Sequence, residues 1–255
     1  MKITYIGIDL LFPAWETVVS AGLEIMAIFT CRNEPHDKIE AFAAENKIPL
    51  TFERIRKTDV ERLVSQGCEL FLSAGYNYLI PVTAAVPMLN VHPTLLPKGR
   101  GGWPLPWLIL RGESAGGVTV HRLASGFDTG DIVAQSSFPL DPETETLESY
   151  LQKVYEAIPP LLTDLLNDLD GHLANAFPQG EGEYLPIPDK AASTVSASMT
   201  VEQADRLCRA FYGDDVYYRA PDGAETALLY PRAAKTPPDG ASESFPLADG
   251  VLYVK

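Results

Sequence analysis

The chain has 255 residues, with 20 basic and 34 acidic side chains that give a formal net charge of −14. This length suits one large domain, or one domain with a small appendix, and is long enough to bury a substantial core. The acidic balance argues against a long nucleic-acid-binding surface, because neutralising phosphates needs clustered Lys and Arg.

The three cysteines lie far apart in the sequence, at Cys31, Cys68 and Cys208. They form no CxxC pair and no zinc-binding spacing, which favours a reducing compartment. The first residues, MKITYIGIDLLF, are typical of a strand rather than of a signal peptide, and no apolar run reaches the length of a membrane span. We therefore expect a cytoplasmic protein with no membrane contact.

Strand and helix signals alternate along the first half of the chain. Apolar, β-branched runs predict strands at 3–8, 23–30, 68–73 and 88–91, and helical spacing of apolar residues predicts helices at 34–46 and 58–66. Continuous apolar strands alternating with amphipathic helices predict an α/β fold, with a Rossmann-like, mostly parallel sheet and helices on both faces.

The second half begins with a loop rich in Pro and Gly after Val91. A short helix is predicted at 106–111, strands at 117–123 and 131–138, and a long helix at 144–169 that Pro159 and Pro160 should kink or interrupt. Beyond Gly180 the patterns predict a helix at 201–211, strands at 216–219, 227–229 and 251–254, and a flexible loop at 235–244. We expect a catalytic domain over 1–179 and a small α+β or β domain over 180–255.

Three polar side chains are candidates for chemistry at one edge of the predicted sheet. Asn90 and His92 are two residues apart in a predicted strand that Pro93 ends, so their side chains lie on the same face. A Gly-rich turn between two later strands carries Asp128. Ligands of open α/β sheets bind at the carboxyl ends of strands. A His base, an Asp that fixes its tautomer, and an Asn amide near a developing oxyanion would suit acyl transfer to an amine. The alternatives are a structural His, an Asx-turn Asp and a strand-end Asn.

Two segments resemble sequence motifs of the folate-dependent formyltransferase family. They are LNVHPTLLPKGRGG and GGVTVHRLASGFDTGDIVAQ. Within this family, the sequence most resembles sugar N-formyltransferases and methionyl-tRNA formyltransferase-like proteins. It implies transfer of a formyl group from N10-formyltetrahydrofolate to an amine, with no metal. It also implies that His92 acts as the base, Asn90 supports the oxyanion and Asp128 orients His92.

The resemblance further implies where the donor and the acceptor would bind. The pterin ring is expected beside the loop that begins at Leu123, and the predicted donor-binding residues are Leu79, Ile80, Leu89, Leu123, Ala124, Gly126, Phe127 and Asp128. The predicted acceptor-binding residues are Tyr76, Asn77, Lys98, Arg100 and Trp103. For Lys98 and Arg100 the alternative is a solvated loop charge, and for Trp103 it is core packing. His121 is expected to be structural.

The acceptor is predicted from what the chain lacks. It has neither the phosphate loop typical of glycinamide ribonucleotide formyltransferases nor the start typical of initiator-tRNA formyltransferases, and no regulatory domain like that of formyltetrahydrofolate hydrolases precedes the core. Residues 180–255 contain twelve acidic and seven basic residues, a poor surface for tRNA. We therefore favour a nucleotide-linked amino-dideoxy sugar as acceptor, no nucleic-acid partner, and a homodimer. The alternatives are a hydroxyornithine-like siderophore precursor, a carrier-bound aminoacyl group, initiator Met-tRNA, or a folate-binding module without catalysis.

Overall fold

A computed structural model describes residues 1–254. Its strands are β1 (Lys2–Gly7), β2 (Glu24–Phe29), β3 (Leu50–Thr51), β4 (Leu70–Ala74), β5 (Met88–His92), β6 (Ala115–Arg122), β7 (Ile132–Pro139), β8 (Thr194–Ser196), β9 (Val216–Arg219), β10 (Glu225–Leu228), β11 (Arg232–Ala234), β12 (Glu243–Pro246) and β13 (Val251–Val254). Its helices are α1 (Phe12–Ser20), α2 (Asp37–Asn46), α3 (Lys57–Ser65), α4 (Leu105–Leu110), α5 (Leu147–Asn167), α6 (Leu169–Ala174) and α7 (Val201–Ala210).

Seven strands form the central sheet in the order β3-β2-β1-β4-β5-β6-β7. The pairs from β3 through β5 are parallel, and β6 runs antiparallel to β5. All five residues of β4 are buried, so its burial does not alternate, as expected for a strand covered on both faces. The predicted α/β fold class with a mostly parallel sheet is therefore confirmed.

Several predicted elements differ from the observed ones. Helix α5 continues through Pro159 and Pro160, so the predicted interruption was wrong. Its first residue is Leu147 rather than Thr144, because Thr146 Oγ1 accepts the backbone N–H of Ser149 at 3.0 Å and thereby caps the helix. Helix α1 had not been predicted, although Pro13 in its first turn is a helix-start signal.

The chain divides into two compact units, each made of segments that are separate in the sequence. The first unit comprises Met1–Gly102, Gly117–Ser137 and Lys153–Tyr184, and the second comprises Trp103–Gly116, Phe138–Gln152 and the residues from Leu185 onward. The predicted boundary between 179 and 180 concerns folding domains and stays a prediction.

The second unit contains α7 and two three-stranded sheets, ordered β10-β9-β8 and β11-β13-β12. The C-terminal region is thus α+β, as predicted. Strand β12 begins at Glu243, so the loop predicted for 235–244 is shorter than expected. Among residues 1–254, no helix combines the length and the apolar character that crossing a membrane requires.

Candidate active site

Strand β5 and its neighbour β6 bring three polar side chains to one face of the sheet. Asn90 and His92 are two residues apart on β5, so their side chains share a face. The antiparallel register places His121 of β6 directly opposite Asn90. Nδ2 of Asn90 lies 3.1 Å from Nε2 of His121. On the other side of the His121 ring, Nδ1 lies 2.9 Å from the carbonyl oxygen of Arg122. A carbonyl only accepts, so Nδ1 carries a proton and donates it to Arg122.

Asp128 reaches the same place from the loop between β6 and β7. Its Oδ1 lies 3.6 Å from Nδ1 of His92, 3.4 Å from Nε2 of His121 and 3.5 Å from Nδ2 of Asn90. Its Oδ2 accepts the backbone N–H of Gly101 at 2.9 Å. Asp128 has φ +54°, a left-handed conformation that Asp tolerates better than most residues. The structure therefore brings together the three side chains predicted to be catalytic.

A backbone carbonyl fixes the orientation of His92. Nε2 of His92 lies 2.7 Å from the carbonyl oxygen of Gly99, so Nε2 carries the ring proton and donates it. The opposite nitrogen, Nδ1, consequently holds a lone pair and faces Asp128. His92 is buried, with 5% of its surface exposed. The group predicted to orient the ring was Asp128, but the short hydrogen bond is made by Gly99.

Burial and neighbouring charges act in opposite directions on the two ionisable groups. Burial lowers the pKa of His92 below 6.5, and the nearby Asp128 charge and the Gly99 carbonyl only partly oppose that shift. Burial alone would raise the pKa of Asp128. The positive charge that His92 can carry, the His121 ring and the Gly101 N–H outweigh that effect and lower the pKa of Asp128 to about 2. At neutral pH the site therefore holds a carboxylate beside a neutral, basic imidazole.

Three hydroxyl and amide side chains hold the loop that follows β5. Thr119 Oγ1 donates to the Thr94 carbonyl at 2.6 Å and accepts from Leu96 N at 3.1 Å and from Gln135 Nε2 at 2.8 Å. Thr94 Oγ1 in turn donates to the carbonyl of Lys98 at 2.8 Å. These bonds fix the path of the chain to Gly99, whose carbonyl orients His92.

A cavity of about 530 Å³ opens beside the same strands. It is lined mainly by aliphatic side chains, together with one cation, from Val82, Thr83, Ala84, Ala85, Val86, Pro87, Met88, Arg122 and Leu123. Met88 lies two residues before Asn90 on β5 and so shares its face. A pocket that is mostly apolar with few polar groups is the usual form of a site for a flat organic ring.

The structure separates the residues predicted to bind the donor into three groups. Leu123 lines the cavity, and Ala124 and Gly126 are partly exposed in the loop leading to Asp128. Leu79 and Phe127 are exposed, at 37% and 40%. Leu89 is completely buried and Ile80 packs in the hydrophobic core, so neither presents the open apolar wall that was predicted. The residues 82–88 that line the cavity were not predicted.

The residues predicted to bind the acceptor mostly have partners within the chain. Tyr76 is buried, and its hydroxyl accepts the N–H of Ile55 at 3.2 Å. Asn77 donates to Glu34. Lys98 is exposed, and Trp103 belongs to the second unit, where its side chain hydrogen-bonds to Asp214. The guanidinium of Arg100 donates to Gln179 and to the carbonyls of Gly180 and Gly182. Contacts of these residues with an acceptor stay predictions.

Comparison with known proteins identifies the family. The family model described as "Formyl transferase" matches residues 29–166. This chain belongs to the formyl transferase family. It is 28% identical over 223 residues to a methionyl-tRNA formyltransferase from Lactobacillus delbrueckii subsp. bulgaricus, covering 80% of this chain and 69% of that relative. The chain spans 61% and 55% of the lengths of two further methionyl-tRNA formyltransferases.

Two solved structures share the fold of this formyl transferase. A sugar N-formyltransferase from Shewanella sp FDAARGOS_354 is 24% identical, with a TM-score of 0.70, covering 90% of this chain and 96% of that one. WlaRD, a sugar 3N-formyl transferase determined with dTDP and 5-N-formyl-THF, is 17% identical, with a TM-score of 0.66, covering 99% and 97%. The predicted family, its enzymatic character and N10-formyltetrahydrofolate as the family's formyl donor are confirmed.

Sequence reasoning about this formyl transferase missed two residues that contact Asp128. His121 was expected to be structural, yet its ring lies within 3.4 Å of the Asp128 carboxylate. The motif GVTVH did contain it, but its position opposite Asn90 depends on the register of β6 against β5, which the sequence pattern does not specify. Gln179 donates to the carbonyls of Asp128 and Gly130 across about 50 residues of sequence, and no local pattern indicated it. Among residues 1–254, no group of three or more His, Cys, Asp or Glu side chains has an arrangement that could hold a metal ion.

Proposed function

We propose that this formyl transferase moves the formyl group of N10-formyltetrahydrofolate to the primary amine of a small molecule, most closely a nucleotide-linked amino-dideoxy sugar. The observation that carries the proposal is the convergence of Asn90, His92 and Asp128 at the end of β5. An amide donor, a neutral imidazole and a carboxylate together supply what acyl transfer to an amine needs.

The 530 Å³ cavity fits the folate donor. Its mainly aliphatic lining, from residues 82–88 and Leu123, suits a pterin ring. The donor supplies an already activated formyl group. Residues 82–88, Arg122 and Leu123 would hold it, and the loop from Ala124 to Asp128 would border it.

His92 would act as the general base through Nδ1. The Nε2 proton of His92 is donated to the Gly99 carbonyl. The lone pair on Nδ1 is therefore the one that can take a proton from the incoming amine. Once Nδ1 is protonated, the Asp128 carboxylate 3.6 Å away stabilises the resulting imidazolium. The bond between the formyl carbon and N10 then breaks, and the imidazolium returns its proton to N10, so that tetrahydrofolate leaves and His92 is neutral again. The buried, low-dielectric setting strengthens that attraction.

Asn90 would supply a hydrogen bond to the reacting oxygen. One of its Nδ2 hydrogens is directed to His121 at 3.1 Å. The other faces Asp128 at 3.5 Å, which is at the limit of a hydrogen bond. That second hydrogen is therefore available to an oxygen that develops negative charge during transfer.

Charge supports a small acceptor over tRNA. The chain carries a net charge of −14, with twelve acidic and seven basic residues after residue 179, and neutralising tRNA phosphates needs clustered Lys and Arg. Met-tRNA is the second candidate, since methionyl-tRNA formyltransferases are among the relatives similar in sequence. We also propose a cytoplasmic homodimer that binds no nucleic acid.

A single-turnover assay tests the proposal. The chain and N10-formyltetrahydrofolate are mixed with a dTDP-linked amino sugar, hydroxyornithine, a carrier-bound aminoacyl group or Met-tRNA, and formylated product is quantified. We expect product with the nucleotide sugar and none with Met-tRNA. Product with Met-tRNA alone would replace the acceptor, and no product with any amine despite folate binding would overturn the enzymatic function.

A further inference from the structure

A C-terminal segment of the first unit crosses two loops of the active site. We call residues 177–184 the strap. Phe177 forms a β-bridge with Ile132, just after the Asp128 loop, and Tyr184 forms one with Arg100, in the loop after β5. The strap therefore contacts both loops that supply groups to the site.

Gln179 joins the two loops through both ends of its amide. Its Nε2 donates to the carbonyl of Asp128 at 2.9 Å and also to the carbonyl of Gly130. Its Oε1 accepts from Nε and Nη2 of Arg100, at 3.0 and 2.9 Å. Every polar hydrogen and lone-pair direction of this amide is thus used, which fixes its orientation. Only a side chain that both donates and accepts satisfies these contacts.

Arg100 is anchored to the strap by several hydrogen bonds. Besides the two to Gln179, Nη2 donates to the carbonyl of Gly180 at 3.0 Å and Nη1 reaches that of Gly182 at 3.5 Å. Gly182 packs so closely that a Cβ there would lie 2.5 Å from the Pro97 carbonyl and 2.9 Å from Cζ of Arg100. The guanidinium is thus held by its own chain, and the predicted contact of Arg100 with an anionic acceptor stays a prediction.

The contacts converge on Asp128, whose backbone and side chain are held from different directions. Gln179 binds the backbone carbonyl, and the N–H of Gly101, next to Arg100, binds Oδ2. The left-handed φ of +54° needs such support, since it is uncommon for a residue with a Cβ. Shifting either loop would change the distance between the Asp128 carboxylate and His92.

We propose that Gln179 is a positioning residue for the formyl-transfer site, holding Asp128 at its distance from His92 by linking the Asp128 carbonyl to Arg100. This inference rests on the proposed function. Gln179 acts through Asp128 and touches neither donor nor acceptor in this scheme. Its loss should therefore alter the chemical step and the ionisation of His92 more than the binding of substrates.

The ionisation of His92 reports the position of Asp128. The ionisable side chains facing the His92 ring are Asp128 from the loop and His121 from β6, whose ring centroid lies 6.3 Å away. The Asp128 carboxylate favours the protonated form of His92, and a protonated His121 would oppose it. Moving Asp128 away should therefore lower the pKa of His92, and the acid limb of the rate profile should move to lower pH.

Gln179→Glu tests the proposal with a matched control. Glutamate still accepts from Arg100, but it cannot donate to the carbonyls of Asp128 and Gly130. The control is Gln66→Glu, because Gln66 also accepts from an arginine, Arg62 at 3.2 Å, on an exposed helix end. We expect Gln179→Glu to lower kcat about 10–100-fold with KM for the folate donor changed less than about threefold. Gln66→Glu should leave both unchanged.

The second measurement is the titration of the His92 ring by NMR, assigned among the four histidines with His92→Asn. The titration uses Gln179→Asn, which adds no charge beside Asp128 and whose side chain is too short to span both loops. We expect the pKa of His92 to fall by about 0.5 unit or more in Gln179→Asn, with the acid limb of kcat/KM moving equally.

Unchanged His92 titration and an unmoved pH profile would overturn the positioning role, even if kcat fell. The NMR titration needs no turnover, so it separates the two proposals. If the wild-type chain formylates no amine, the proposed function fails, while a lowered His92 pKa in Gln179→Asn would still support the link from the strap to Asp128.

Discussion

Asp128 and His92 face each other through Oδ1 and Nδ1, which lie 3.6 Å apart. The far nitrogen of His92 is held by the Gly99 carbonyl at 2.7 Å, so the nitrogen that faces the carboxylate is the basic one. In this arrangement the carboxylate does not fix the tautomer. Under the proposed function its role would be electrostatic, because a carboxylate at this distance favours the protonated form of His92. Orientation and charge stabilisation thus come from different parts of the chain.

Replacing His92 should remove the base while leaving the fold intact. We expect His92→Asn to slow formyl transfer about 10²–10⁴-fold, the range that general base catalysis contributes. Single-turnover formylation and calorimetric titration with 5-formyltetrahydrofolate measure the rate and the folate affinity, and the affinity should not change. His172→Asn is the control, since His172 lies on α6 and pairs with Asp164. An unchanged rate in His92→Asn would show that another group is the base.

The same substitution should change how stability depends on pH. Burial lowers the pKa of His92 in the folded chain below the value of 6.5 expected when unfolded. The unfolded state therefore binds the proton more readily, and stability should fall as pH drops below about 6.5. Thermal unfolding between about pH 7.5 and 5.5 should show a steeper loss for the wild type than for His92→Asn. Parallel curves would mean that His92 is not desolvated.

Asp128 has the opposite linkage. Its pKa is lowered from 3.8 to about 2 in the folded chain, so its charged form stabilises the fold above pH 4 and that contribution disappears as pH falls towards 2. The full contribution is about 2 kcal/mol. Asp128→Asn keeps a residue that tolerates the left-handed backbone and should flatten the loss of stability between about pH 4 and 2. Urea unfolding at several pH values measures it, and equal slopes for both proteins would contradict the assignment.

The sheet and the core of the site were accessible from sequence because both depend on short-range patterns. Continuous apolar runs indicated β1, β2, β4 and β5, and the period of two placed Asn90 and His92 on one face. The Gly-rich turn correctly indicated that Asp128 would be presented at that edge. Each of these inferences needs only the residues within one or two elements.

The missed features depend on register and on long-range paths of the chain. His121 faces Asn90 only because β6 pairs antiparallel with β5 at one specific offset, and a shift by one residue would turn its ring to the other face. Gln179 is 79 residues from Arg100 in sequence, so nothing near either residue signals their contact. For the same reason the sequence predicted an acceptor contact for Arg100, with a solvated loop charge as the alternative, and did not indicate its bonds to Gln179.

Gly99 offers a test of the carbonyl that orients His92. Its φ is +74°, and a Cβ there would lie 2.9 Å from Cγ2 of Thr94. Gly22 has a similar φ of +68° with nothing within 4 Å, so Gly22→Ala is the matched control. Both substitutions should cost about 1–2 kcal/mol of backbone strain. Only Gly99→Ala should also reduce the rate of formyl transfer, because it displaces the acceptor of the His92 proton. Equal rates in the two variants would remove the Gly99 carbonyl from the catalytic arrangement.

The hydroxyl of Thr119 should contribute more to the free energy of unfolding than the hydroxyl of Thr30, which is also buried. Its hydroxyl serves Thr94, Leu96 and Gln135 at once, whereas the buried hydroxyl of Thr30 has no hydrogen-bond partner in the structure. Thr119→Val leaves the buried N–H of Leu96 without its acceptor and removes one of the two acceptors of the Gln135 amide, so it should cost about 2 kcal/mol. Thr30→Val removes an unsatisfied polar atom without changing shape, so it should be neutral or stabilising.

Urea denaturation of the Thr119→Val and Thr30→Val variants measures the difference in their free energies of unfolding. Similar free energies of unfolding would mean that the Thr119 network does not hold the loop that leads to Gly99. A loss confined to Thr119→Val, accompanied by slower formyl transfer, would connect that network to the orientation of His92.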